Sequence, residues 1–231
     1  MLISPILRHI IIAFALFSLV PTAATAATAR DFLTRAAFQS TTKAAAQRDV
    51  AAGLAAAERT LATRPTDTDA LFQKGIALGY RAKLNHSPSD AKAARQIFER
   101  LATADRNNGE FQMALACWHL DSTDELGSFM ARTMLGAKTQ VGKDALANAI
   151  RLGGDSPFLL GMAAMMTIRD DEKAVANARA LAERAARVGA QTDLDRKIQA
   201  DMATILPLLR AGRGDQAATA ARKRLPFGLL D

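Results

Sequence analysis

A spacing of 4, 3 and 5 residues recurs four times along this 231-residue chain. It links Gly53, Ala57, Thr60 and Pro65, then Ala94, Phe98, Leu101 and Arg106, then Gly142, Leu146, Ala149 and Gly154, and last Ala178, Ala182, Ala185 and Ala190. The sets begin 41, 48 and 36 residues apart. Steps of four and three return to one face of a helix. A small first residue admits a neighbouring helix, the next two fill the crevice, and the fourth falls where the helix stops. A single helix pair cannot bury its apolar face, so a chain built this way must stack its pairs.

The spacing resembles the A-x3-F-x2-A-x4-P half of the tetratricopeptide repeat. Gly75 falls where that repeat places a small residue on its first helix, and Ala116 and Ala164 hold the corresponding places further on. Abundant alanine and only twelve aromatic residues suit closely approaching helices. The expected fold is all-α, a tetratricopeptide-like array of helical hairpins (an α-solenoid) of about 8–10 helices. Its pairs cover about 30–65, 66–106, 107–154 and 155–190, with an inserted helix within 121–136 and a C-terminal cap at 191–231. The first pair is expected as helices over 30–48 and 49–63. Thr66 with Asp69 is read as the opening of the third helix, and Ser87-Pro88 as that of the fourth.

The insert carries S-x-x-E at Ser122 and Glu125, a capping-box pattern. It predicts a separate helix over 124–135 with Leu126, Phe129, Met130 and Met134 on one face, stopped by Gly136. Thr192 and Asp195 open a helix with the stripe Leu194, Ile198, Met202, Ile205, Leu206 and Leu209, and Pro207 should kink it. A last helix is expected over about 214–223. The run from Ala116-Cys117-Trp118-His119 through Met134-Leu135-Gly136 to Ala145–Leu152 resembles the tetratricopeptide-like region of the regulator of microtubule dynamics family, over roughly 90–210. That likeness implies the fold alone, since the start of the chain points out of the cytoplasm. A weaker likeness links the chain to the periplasmic T component of tripartite transporters.

Residues 1–29 have the layout of a secretory signal peptide. Arg8 precedes the apolar run Ile10–Val20, Pro21 breaks it, and two A-x-A sites follow at 24–26 and 27–29. Eleven apolar residues are short for a membrane span, which needs about 20. The chain is therefore expected to be periplasmic or secreted after cleavage near 26–29, with an uncleaved anchor as the alternative. Without Arg8, 29 basic side chains stand against 23 acidic ones. Both signs are interspersed, so no nucleic-acid partner is expected. Arg222, Lys223 and Arg224 are a candidate contact with a membrane surface.

The search for chemistry is negative. There is no G-x-S-x-G, H-E-x-x-H, P-loop or C-x-x-C motif, and a lone Cys117 forms no internal disulfide. His119 with Asp121, Asp124 and Glu125 is the one constellation to weigh as a metal or acid–base site. Neighbouring helical residues diverge by about 100°, which sends Cys117 and His119 apart. A packing role is favoured for both, with no catalytic residue, metal or cofactor. Projecting the repeat onto the inner helices gives a groove of Phe72, Ile76 and Tyr80, then Met113, Cys117 and Asp121, then Phe158, Met165 and Arg169. An open apolar trough is rarely left bare, so the 124–135 and 192–211 helices are expected to fold over it. The chain is accordingly read as a non-enzymatic scaffold binding another envelope protein. The alternative is a periplasmic binding protein for a small apolar ligand in the Phe/Met-lined groove.

Overall fold

The computed structural model describes residues 27–230, and the segment that carries the expected signal peptide lies outside them apart from its last three residues. Among the described residues every regular element is helical, with ten helices of nine residues or more. In order these are α1 (Ala29–Phe38), α2 (Lys43–Thr63), α3 (Thr68–Asn85), α4 (Pro88–Ala104) and α5 (Gly109–Leu126). A single turn, α6 (Ser128–Met130), follows and runs into a π-helical turn, Ala131–Leu135. Then come α7 (Thr139–Leu152), α8 (Pro157–Asp170), α9 (Val175–Arg187), α10 (Asp193–Arg210) and α11 (Gly214–Arg222).

Short polar side chains set most of the starts. Thr28 and Asp31 form a reciprocal capping box on α1, and Thr192 and Asp195 form another on α10. Ser87, Asn108 and Ser156 accept from the first free amides of α4, α5 and α8. Two expected boundaries move. The first helix ends at Phe38 rather than 48, because Thr42 accepts from the Ala45 amide and starts α2 anew. The run Ser40-Thr41-Thr42 offers the backbone a side-chain partner and so competes with the helix. The cap of α3 is Asp67, not Thr66. Pro207 lies within the last turn of α10, which continues to Arg210.

The helices pack as α1 with α2, α3 with α4, α5 with α7, α8 with α9, and α10 with α11, and each pair touches the next. The recurring positions do physical work at these crossings. Gly53, Ala94, Gly142 and Ala178 are all buried, as are Ala57, Phe98, Leu146 and Ala182, whereas Pro65, Arg106 and Gly154 lie exposed just past helix ends. A Cβ on Gly53 would sit 2.8 Å from Leu33 Cγ on α1, and one on Gly142 only 2.7 Å from Leu120 Cγ on α5. A Cβ on Gly75 would meet Phe98 of α4 at 2.8 Å. Real Cβ atoms are not found so close, so these helices approach because the side chain is missing.

The insert differs from the expected helix. α5 runs straight on to Leu126, and the Ser122 hydroxyl donates to the Trp118 carbonyl within that helix, at 2.7 Å, instead of capping a new one. Gly127, at φ 73°, ends α5. Gly136, also at φ 73°, ends the π turn, a left-handed backbone that glycine adopts without cost. Leu126, Phe129, Met130 and Met134 are consequently exposed, and the insert does not fold across the cavity as a separate helix. The chain's end does cover the inner face. Residues 225–230 cross back to α1, where the Phe227 amide donates to the Ala37 carbonyl at 2.8 Å. The Phe227 ring packs edge-on against Tyr80 of α3, 4.9 Å between centroids.

Candidate functional site

The inner helices α1, α3, α5, α8 and α10 surround a cavity of about 350 Å³. Phe72, Ile76 and Tyr80 form one wall and Met113 and Cys117 the next, with Phe158 and Met162 from α8 and Leu194 from α10. Leu33 and Pro226 close the remaining side. The cavity is long. Its lining runs from Phe72 on α3 to His86 just past the end of that helix, which at 1.5 Å per residue is roughly 20 Å. Charged groups sit at its two ends: Arg30 and Glu110 at one, Lys83, Asp121 and Glu125 at the other. They pair with one another, Arg30 with Glu110 at 2.9 Å and Lys83 with Glu125 at 2.8 Å.

Of the nine groove residues read from the sequence, Phe72, Ile76, Tyr80, Met113, Cys117, Asp121 and Phe158 share this cavity. Met165 does not: it is 0% exposed and packs in the core. Arg169 is buried behind the wall, where its guanidinium holds Asp121 and Asp170. α8 is apolar and buried on almost every side, so its pattern carried no sign of which face turns inward. Met162, Leu33 and Pro226 were not foreseen. Met162 lies one turn beyond Phe158 and was within reach of the same projection, but no local pattern marks Pro226 as a wall.

The titratable groups favour holding over reacting. Burial raises the Cys117 thiol well above its ordinary pKa, and nearby Asp121 adds to this, so it stays protonated and a poor nucleophile. Burial likewise raises the Tyr80 phenol. Among the described residues its hydroxyl has no protein partner, and Tyr80 shares the lining with the neutral polar side chains of Thr34, Gln73 and Ser122. His119 is 1% exposed and turned away from the cavity. Its Nδ1 accepts the Lys138 amide at 3.1 Å, its ring stands edge-on to Trp118, and burial and then Arg95 and Lys138 lower its pKa to about 4. The acids read beside it bond elsewhere, Asp121 to Arg169, Asp124 to Arg222 and Glu125 to Lys83. Among the described residues no group of His, Cys, Asp and Glu is placed to hold a metal.

In the basic triplet, Arg222 bonds Asp124 at 2.9 Å and the Arg169 carbonyl, and Arg224 bonds the Ala220 carbonyl. Only Lys223 of the three has no ion-pair or hydrogen-bond partner among the described side chains. No protein-family model, curated protein or solved structure matches the chain.

Proposed function

We propose that the chain is a tetratricopeptide-like array that holds an elongated apolar ligand inside its curve. The observation that carries this reading is the cavity of about 350 Å³. Its size lies within the range of about 300–1,000 Å³ typical of small-molecule sites, and its largely apolar wall with a few placed polar groups is also typical. The length of roughly 20 Å favours an extended chain over a compact ring system. The stacking of helix pairs in sequence order, with small residues at each crossing, supports the tetratricopeptide-like reading.

An open groove reading a peptide is less well supported, because residues 225–230 lie across the inner face. The acids that line the cavity are each held by a cation, Glu110 by Arg30, Asp121 by Arg169 and Glu125 by Lys83, and burial keeps the Cys117 thiol protonated, which favours binding over catalysis. Export remains part of the reading. Thr28 caps α1, so cleavage after Ala26 keeps the capping box whereas cleavage after Ala29 destroys it. The mature chain should therefore begin at Ala27, which N-terminal sequencing of exported protein checks.

The test of binding is direct. Organic extraction of purified protein and mass spectrometry should release a chain-like apolar compound, and a fluorescent fatty-acid probe should bind the emptied protein. Ile76→Trp fills the middle of the cavity and should weaken the probe at least tenfold while leaving the melting temperature within a few degrees. A probe that ignores the emptied protein, or binds Ile76→Trp as well as the parent, overturns the reading.

A further inference from the structure

The insert that fails to cover the cavity forms its lip. Leu126, Met134 and Leu135 line the cavity, and the first two are 42% exposed on the outer surface as well. The crest beyond them carries Phe129, 78% exposed, and Met130, 45% exposed. The inner apolar surface thus continues without a break onto an exposed apolar crest. Four neighbouring apolar side chains left bare together, rather than one alone, call for an occupant.

The charges around the crest say which. From Leu126 to Lys143 the chain has three cations, Arg132, Lys138 and Lys143, and no acid. Arg132 and Lys138 are exposed, as is Lys92 on the neighbouring α4, and among the described residues none of them has an ion-pair partner. The acids nearest the lip are already neutralised, Asp90 by Arg81, Asp121 by Arg169, Asp124 by Arg222 and Glu125 by Lys83. Four apolar side chains within the nine residues from Leu126 to Met134 fall well short of the about 800 Å² per partner of a stable protein interface. They suit insertion about 5–10 Å into the headgroup region of a bilayer, with cations around them meeting anionic lipid.

The base of the lip is held while the crest is free. Arg95 Nη1 donates to the Leu135 carbonyl at 2.7 Å, and the Lys138 amide donates to His119 at 3.1 Å. Gly127 has no atom within 4 Å of the place its Cβ would occupy. The crest can therefore enter a lipid surface without disturbing the cavity wall behind it.

We infer that the segment from Leu126 to Gly136 docks on an anionic membrane surface and brings the mouth of the cavity to the lipid. As the route of the ligand this rests on the binding reading above; the docking itself does not need it. The experiment is sedimentation of the full chain, without its signal, with vesicles of phosphatidylcholine alone or with 30% phosphatidylglycerol, at low and at 0.5 M salt.

The parent should bind the anionic vesicles at least tenfold more tightly than the neutral ones and release them at high salt. Each unpaired cation at such a surface contributes about fivefold, so Arg132→Glu with Lys138→Glu should lose well over tenfold. Phe129→Asp with Met130→Asp alters exposed side chains only and should lose as much, with an unchanged melting temperature. Absence of binding to anionic vesicles overturns the inference, as does full binding by either double variant. Self-association of the parent that Phe129→Asp abolishes, without vesicle binding, assigns the crest to a second copy and also overturns it. Probe binding in solution, measured on the same variants, reports separately on the cavity and should not change.

Discussion

Acid should loosen this fold through one residue, His119. Its Nδ1 accepts the Lys138 amide, and its Nε2 has no partner although it is buried. A second proton must therefore go onto Nδ1, which replaces an acceptor with a donor facing the amide and puts a charge into a site 1% exposed. Arg95 and Lys138 stand close by and oppose that charge further. The folded pKa is lowered from 6.5 to about 4. The unfolded chain binds the proton first, so the stability this group confers is fully present above about pH 6.5 and is lost as pH falls towards 4. At about 1.36 kcal/mol per pH unit the loss reaches about 3 kcal/mol.

His119→Asn keeps an acceptor near the Lys138 amide and cannot titrate. It should cost about 1–2 kcal/mol at pH 7.5 through the lost ring contact with Trp118. Urea unfolding of both proteins at pH 7.5, 6, 5 and 4 is the assay. The gap between the two curves should change by about 3 kcal/mol over that range, shrinking and then reversing to about 1–2 kcal/mol, whatever the other groups contribute. Parallel curves, or a change in the gap below about 1 kcal/mol, would refute the assigned role of His119.

Two helical glycines should answer to alanine with opposite signs. Gly142→Ala puts a Cβ 2.7 Å from Leu120 Cγ and 3.0 Å from His119 Cβ, so overpacking of about 1–3 kcal/mol outweighs the roughly 1 kcal/mol gained in helix propensity. Gly79→Ala meets its nearest atom at 3.7 Å and should stabilise by about 0.5–1 kcal/mol; chemical melts that show both variants moving the same way would refute the crossing argument. Arg169→Met strands Asp121 beside the cavity and should cost about 3 kcal/mol. Adding Asp121→Leu should recover most of that loss in the same melts, whereas an additive loss would show that the pair itself holds α5 and α8 together.

The features legible in the sequence are those imposed by steric demand on neighbouring residues. The 4, 3 and 5 spacing marks helix crossings because Gly53 and Gly142 must lack a Cβ there, and no distant contact is needed to see it. Caps such as Ser87 and Thr192 are legible for the same reason. Local patterns fail where two outcomes satisfy them equally. Ser122 and Glu125 fit a cap, but Ser122 satisfies its hydroxyl equally well on the Trp118 carbonyl inside a continuing helix. Met165 and Phe158 look alike on a helix apolar all round, and only packing against α9, α10 and α11 settles which turns inward. The closing segment was beyond reach, since Phe227 takes its place from the Ala37 carbonyl and the Tyr80 ring, both far away in the chain.

Closure and lip belong to one design constraint. Helices α3, α5 and α8, with Phe72, Ile76, Met113 and Phe158 on the side that lines the cavity, would expose an apolar trough if that side were open to water. The chain covers that side with its own C-terminal segment, anchored at Ala37 and Tyr80. It leaves space rather than packing it solid, about 350 Å³ of it. A sealed apolar void would cost stability with no return, because its lining atoms lose contacts that a filled core would make. At the end bordered by Leu126 and Met134 the lining side chains are also exposed outside, and there the wall passes from the last turn of α5 to the short helical turns between Gly127 and Gly136. An apolar space with an apolar threshold is consistent with a chain that takes up and gives out an apolar molecule. The same threshold, whose acids Asp121, Asp124 and Glu125 are each held by a cation and which is edged by free cations, is the face such a chain would turn to the surface it draws from.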